Sequence, residues 1–502
     1  MTNANPMSKC SEAVPSCAHC SRLGLDCVYP QAPTVLPTPP SDVDEQDWPV
    51  ANQDDSVDSS RRAMVKTTSP PSKSLIDCVL SSSIETREYL AMLESLHFFN
   101  NRLLLEVTPA HLPFERNFID VSQWLLAPRA VQLSLIVVTL AVQRSRSSST
   151  PSFDKDVLHY RSACLSELTA LVVDAKIDRQ ALTFDCIQLV MLADMQLEPM
   201  GPWAYHLEGT RRLIELQGGI QNLFYEKPGL QNLLINYMEI DILTTATCSV
   251  NALDADTVNT QMNYNALLVD KEEDTITTAC FMPIALMQAV VETNQLRLQY
   301  PKHDISPGES SDVARDLSQI QIMISTFDPS QWALRILAYG AARPQPASRS
   351  PSDQDIAAMT ALALCQQAAA TLYLHLSCSP SLNLHFLDIT HHALTTNLVD
   401  LLSQASPDTE APLHTQLYKC AVWPFFIAAY AKAGWHLGSG GDDDTQAMDR
   451  LRRVARKIQS RPLVIAAGVL ERVTIEQALR ADLGRSWTWD DAFESRCSFC
   501  VL

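Results

Sequence analysis

From about Leu75 to about residue 495, apolar residues return at intervals of three and four rather than two, the period of helices that bury one face. "SSSIETREYLAMLESLHFF" shows the pattern with its start signal. Ser82 and Glu85 form a reciprocal capping pair, and Leu90, Leu93 and Leu96 fall on one side. In "WAYHLEGTRRLIELQGG", Trp203, Leu207, Thr210 and Ile214 repeat at four, three and four, and Gly218 with Gly219 supplies a left-handed stop. "MDRLRRVARKIQSRP" aligns Met448, Leu451, Val454, Ala455 and Ile458 ahead of Pro462. Strand alternation is scarce, and neither a strand–helix–strand rhythm nor a fixed-period repeat occurs. The pattern predicts a mainly all-α fold: a large multi-helix domain over 75–502, with loops near 145–152, 301–312, 343–354 and 436–445.

Ahead of that body the periodicity stops. Residues 31–74 carry repeated prolines, seven acids between Asp42 and Asp58, and few apolar positions, too little buried surface to offset chain entropy; they predict a disordered linker. Its acidic stretch around Trp48 reads as a solvated spacer, with a partner-binding or activating segment as the alternative. Residues 1–30 differ again: "CSEAVPSCAHCSRLGLDC" sets Cys10, Cys17, Cys20 and Cys27 at gaps of six, two and six. A two-residue gap lets Cys17 and Cys20 turn both thiolates to one ion. The longer arms bring Cys10 and Cys27 round it, so the four predict a closed tetrahedral Zn²⁺ site. A segment with almost no core draws most of its folding free energy from such an ion.

Composition and charge narrow the function. A 502-residue chain that is 46% hydrophobic has material for a large core. "AVQLSLIVVTLAV" is closed by Arg129 and Arg144, short of the roughly 18 uninterrupted apolar positions of a membrane span. "MTNANPMSK" contains no apolar signal core, and Cys500 in "FCVL" stands third from the end where a prenylation box needs fourth. An intracellular protein with no membrane partner is expected. Cys78, Cys164, Cys186, Cys248, Cys280, Cys365, Cys378 and Cys420 are scattered through apolar segments and read as small buried hydrophobes, and the spacing of Cys497 and Cys500 as incidental. A net charge of −19 excludes a protein that coats nucleic acid with its whole surface, so any DNA contact must be local. The cysteine tip is itself neutral, with Lys9 and Arg22 against Glu12 and Asp26.

The cysteine spacing, with Pro15 in the loop, Arg22 and Gly24 in the last arm and Tyr29 just beyond, closely resembles the second half of a fungal binuclear zinc cluster DNA-binding domain. That family holds two zinc ions with six cysteines. By motif, Cys10 corresponds to the third ligand, Cys17 to the fourth and bridging one, Cys20 to the fifth and Cys27 to the sixth, while Lys9 matches the end of the family's basic run. The first C-x2-C, which in that family supplies two zinc ligands, and the basic helix after it, whose side chains read base edges in the major groove, are missing. Either an upstream coding segment lies outside this sequence or the chain has lost independent DNA binding; the intactness of the remaining half favours the first. The resemblance continues in the body. "PWAYHLEGTRRLIELQGG" and "LYKCAVWPFFIAAYAKAG" are similar to blocks of the fungal-specific transcription factor regulatory domain, and "SWTWDDA" to its usual ending. The resemblance implies a nuclear, sequence-specific transcriptional regulator with Zn²⁺ as cofactor and promoter DNA carrying short GC-rich triplets as partner. It further implies a homodimer, transcriptional co-regulators and a small-molecule effector as partners, and frequent control of a secondary-metabolite gene cluster. A regulator that lacks autonomous DNA binding and acts through its helical domain is the alternative.

Read from the residues alone, Trp203, His206, Trp423 and Trp435 are core or interhelical hydrogen-bonding residues, and Arg450, Arg452, Arg453, Arg456 and Lys457 a solvated helix face. His391 and His392 diverge by about 100° on a helix and cannot share an ion. An aspartate-rich cyclase site is not expected. Asp442, Asp443 and Asp444 follow glycines as a helix start, and Pro407 occupies the glutamate position of the second motif that Asp400 and Ser403 begin. With no G-x-S-x-G, phosphate-loop or H-E-x-x-H motif, no enzymatic activity is predicted.

Overall fold

The computed structural model describes residues 86–103, 118–146, 151–173, 180–197, 203–252, 255–269, 282–300, 310–342, 351–378, 383–403, 417, 420–435 and 489. The chain divides into two units, Met1–Pro70 and Pro71–Leu502, and every described residue belongs to the second. Among the described residues there are helices and no strands, as the three-to-four periodicity requires.

The first group of helices comprises α1 (Thr86–Phe98), which runs into a π turn over Phe99–Leu103, α2 (Val121–Leu126), α3 (Arg129–Arg146), α4 (Pro151–Val173) and α5 (Gln180–Leu197). At its centre α3 packs on α1, α4 and α5, with Leu133 and Leu135 to Val138 all buried. Local polar groups set the entries. Asp120 caps α2 by accepting from the amides of Ser122 and Gln123, and Gln132 of α3 donates to the carbonyls of Trp124 and Leu125 at the end of α2. The α1 stripe expected from Leu90, Leu93 and Leu96 is corrected here. Leu90 is 52% exposed, and the buried face runs through Met92 and Leu96, so only one of the three leucines is fully inside. Arg129 pairs with Glu88 on this helix, fixing which side faces α3.

The second group comprises α6 (Trp203–Leu216), α7 (Ile220–Glu226), α8 (Gln231–Ala246), α9 (Ala255–Val269), α10 (Ile284–Gln299), α11 (Ser310–Thr326), α12 (Pro329–Ala342), α13 (Asp353–Cys378), α14 (Leu384–Ser403) and α15 (Val422–Trp435). The 26-residue α13 is central, packing on α10, α11, α12, α14 and α15. It starts with a capping box: Ser352 Oγ accepts the Asp355 amide while Asp355 accepts the Ser352 amide. By length and composition α13 could cross a membrane, yet 61% of its apolar window is buried inside the protein, as suits a core helix. At the end of α6 the predicted glycine stop is present. Gly218 and Gly219 have φ of 92° and 93°, the Gly219 amide donates to Ile214 O and the Gly218 amide to Glu215 O.

Two apolar cores result, one within α1–α5 and a larger one spanning α5 to α15. They meet on α5, whose Phe184, Met191 and Met195 face the larger core and whose Cys186, Ile187, Val190 and Ala193 face the smaller; Leu213 of α6 packs against both. The expected loop at 145–152 is shorter than drawn, because α3 continues to Arg146 and α4 begins at Pro151, a residue whose missing amide costs nothing in a first turn. Likewise α11 begins at Ser310, inside the 301–312 loop, and α13 at Asp353, inside the 343–354 loop; the loop at 436–445 lies outside the described residues. Cys164, Cys186, Cys365, Cys378 and Cys420 are buried and Cys248 partly so, as small hydrophobes should be.

Candidate functional site

Cys10, Cys17, Cys20 and Cys27, with Lys9 and Arg22, lie outside the described residues, as do the acidic stretch around Trp48 and the basic run from Arg450 to Lys457. Among the described residues no group of three or more His, Cys, Asp or Glu could hold a metal ion. His391 donates to Ala428 O at 3.0 Å from inside the α14–α15 contact while His392 faces solvent, so the two diverge as expected.

The structure instead concentrates polar chemistry around α6 and in a seam behind it. On α6, His206 donates from Nε2 to Asp194 Oδ2 at 3.0 Å, and Arg161 of α4 holds the same carboxylate in a two-pronged contact at 2.6 and 2.7 Å. Burial opposes the Asp194 charge, but the bonds from Arg161 and His206 outweigh it and hold its pKa below the usual carboxylate value. One turn further on, Arg211 donates at 2.7 Å to Asp241 of α8 and at 2.7 Å to Glu208 of its own helix. Burial works against the Arg211 charge too, and the adjacent Asp241 more than compensates. Two buried carboxylates, one from α5 and one from α8, thus anchor the "HLEGTRR" segment of α6, while Leu207, Thr210 and Ile214 seat its apolar side.

From Asp241 the seam crosses the larger core. The Asp241 carboxylate accepts from Tyr264 Oη and Gln261 Nε2, both at 3.1 Å. Gln261 accepts in turn from Asn294 Nδ2 at 3.1 Å, and Asn294 Oδ1 accepts from Tyr373 Oη. Arg297 donates to Tyr373 Oη at 2.8 Å, to Thr245 O at 3.3 Å and to Cys248 O at 2.8 Å. Burial first, and the Asp241 charge second, push the Tyr264 and Tyr237 hydroxyls far above the ordinary tyrosine pKa, so both stay protonated.

This seam has a local cause. The last carbonyls of α8 lack intrahelical partners, and its end is buried, with Ala246 and Thr247 shielded from water. Arg297 supplies donors and a cation where the helix dipole is negative. Trp489 supplies another, its indole Nε1 donating to Ala246 O at 3.1 Å. The Trp489 ring sits between Tyr430, at 4.5 Å and edge-on, and Tyr373, at 5.0 Å and tilted, and its carbonyl accepts from Tyr430 Oη at 2.8 Å. The arrangement couples helices. Displacing α6 from α8 would strip Arg211 from Asp241 and leave a buried carboxylate short of its counter-charge.

Of the residues expected to act in the core, His206 makes the interhelical hydrogen bond foreseen for it and Trp423 is buried; the side chains of Trp203 and Trp435 lie outside the described set. Asp194, Asp241, Gln261, Asn294 and Arg297 were missed. Their signal was polar residues set among apolar neighbours, as Asp241 is in "NYMEIDILTTA" and Asn294 and Arg297 are in "MQAVVETNQLRLQ".

Comparison with known proteins matches residues 94–495 to the fungal specific transcription factor domain. The phomenoic acid biosynthesis cluster-specific transcriptional regulator of Leptosphaeria maculans is 24% identical over 247 residues, 47% of this chain and 46% of that protein. The acriflavine sensitivity control protein acr-2 of Neurospora crassa is 24% identical over 340 residues, 63% of this chain and 50% of that protein. The chain spans about half the length of the curated relatives it matches. No solved structure matches. The match covers nearly the whole helical body, including α6 with its two carboxylate anchors and the seam that ends on Trp489, and so this chain belongs to the fungal specific transcription factor domain family.

Proposed function

We propose that the chain is a nuclear transcriptional regulator, without enzymatic activity, whose helical body receives co-regulators or a small-molecule effector and whose amino-terminal cysteines bind Zn²⁺ and bring it to promoter DNA. The observation that carries this reading is the match of residues 94–495 to a transcription factor domain. The thiolate spacing at Cys10, Cys17, Cys20 and Cys27 supports the zinc assignment, since four sulfurs close one tetrahedral shell. The same reading divides the chain into a zinc module at 1–30, a linker at 31–74 and a regulatory domain at 75–502. That one relative is named as a regulator specific to a biosynthesis cluster supports a gene cluster as the target.

Two measurements test it. The purified full chain should carry zinc that Cys17→Ala removes, and metal analysis without zinc would end the cofactor assignment. Deleting the gene should change transcription of a defined, neighbouring set of genes, and an unchanged transcriptome under producing conditions would overturn the regulatory reading. The neutral balance of Lys9 and Arg22 against Glu12 and Asp26 favours a second reading, a regulator that reaches promoters through another protein. In that case the zinc-loaded chain leaves promoter fragments unshifted in a mobility assay while the transcriptome still changes.

A further inference from the structure

Trp489 occupies a slot whose walls are built by helices from earlier in the chain. Its indole lies 4.5 Å from the ring of Tyr430 on α15 and 5.0 Å from that of Tyr373 on α13, a gap that suits one flat ring system. Trp423 stands edge-on to Tyr373 at 6.4 Å and Phe426 stacks on Tyr430 at 6.2 Å, so the walls are themselves braced. Helix-to-helix contacts of α13 with α10 and α15, and of α8 with α10, hold the frame without the indole. Polar groups face the occupant as well. Ala246 O accepts its indole N–H at 3.1 Å, and Tyr430 Oη donates to its carbonyl at 2.8 Å. A further donor in this aromatic cluster is unused: Trp423 is 2% exposed, and its Nε1 has no hydrogen-bond partner among the described residues. A buried indole N–H ordinarily has one.

We propose that this slot is a binding site for a small indole-bearing molecule, whose ring N–H and side-chain carbonyl take the places of those of Trp489. The proposal rests on the reading that the helical body receives a small-molecule effector, and it assigns that effector a site and a chemistry. The spacing of the tyrosine rings admits a planar bicycle, and the carbonyl at the end of α8 requires a donor on its edge. The Tyr430 hydroxyl requires an acceptor set as far from the indole as a tryptophan sets its own carbonyl. A ligand displaces a tethered side chain only through interactions that the side chain lacks. A free molecule with a further oxygen offers the Trp423 N–H the acceptor that Trp489 leaves it without. After the exchange the end of α8 is still capped, by the ligand, while the Trp489 side chain has been turned out of the core.

Isothermal titration of the purified full chain with N-acetyl-L-tryptophanamide, which carries the indole N–H, the side-chain carbonyl and a further amide oxygen, tests this. The wild type should bind it saturably, and Trp489→Ala, with no side chain to displace, at least about ten-fold more tightly. The same compound methylated on its indole nitrogen should bind both proteins at least about ten-fold more weakly, because Ala246 O loses its donor. Trp423→Phe should weaken binding of the unmethylated probe about three-fold or more. A wild type that takes up no probe overturns the proposal, even where Trp489→Ala binds it, since the slot is then a closed part of the core. So does equal affinity in the wild type and Trp489→Ala, or indifference to both the methyl group and Trp423→Phe, since the probe then sits elsewhere. If Trp489→Ala does not fold, Trp489→Phe, which half-fills the slot and offers no indole donor, replaces it with the same expectation. Because neither zinc nor DNA enters the titration, a wild type without binding leaves the transcriptional reading standing.

Discussion

Arg297 is a cation inside the core, held by a hydroxyl and by carbonyls at the end of α8, about fifty residues earlier in the chain. Removing its head by Arg297→Met takes the guanidinium donors away from those acceptors and should cost about 3 kcal/mol, read as a lower denaturation midpoint. Arg297→Lys should recover only part of that, because an ammonium cannot reproduce the fork that reaches Tyr373 and Cys248 together. Asp185 makes a different prediction. Burial pushes its pKa from 3.8 up to about 6, so between those values the folded chain holds a proton the unfolded chain has released. Stability from this group is present below about pH 4 and lost as pH rises toward about 6. Asp185→Asn should therefore gain on the order of 2 kcal/mol at pH 7 and nothing at pH 4, checked by thermal melts at both. Neither residue was legible in the sequence, because a lone Arg or Asp on a mixed helix has the same spacing whether it faces water or a buried helix end.

At the scale of the element, α6 was the most legible piece, because its stripe and glycine stop are both local. Its end depends on backbone that only glycine adopts freely, so Gly219→Ala should cost about 1 kcal/mol, while Gly209→Ala, in open space at ordinary helical backbone, should stabilise by up to about 1 kcal/mol. Opposite signs for the same substitution ten residues apart would be read directly from two melting curves. α1 was legible as a helix but not in its orientation. Leucines lie on more than one side of it, and only the pairing of Glu88 with Arg129 and the burial of Met92 against α3 decide which side turns inward. What anchors α6, the carboxylates of Asp194 and Asp241, was invisible because each partner comes from another helix.

For the whole molecule, the helical class was legible in the sequence, while the way two cores share α5 and α6 emerged only from packing. That sharing has a thermodynamic signature. With Leu213 and both faces of α5 common to the two cores, the helical body should melt in one calorimetric transition, and Arg211→Met should lower the temperature of that single transition instead of splitting it. Trp489→Ala removes an indole with no solvent exposure and should cost about 3 to 5 kcal/mol, measurable as a downward shift of the same transition. The indole of Trp489 also imposes an order on biosynthesis. Its acceptor at Ala246 is translated 243 residues earlier, so the nascent polypeptide must carry that carbonyl without its indole cover until position 489 has been made. A premature stop codon just upstream of position 489 would then release a product whose helix end stays open to proteases.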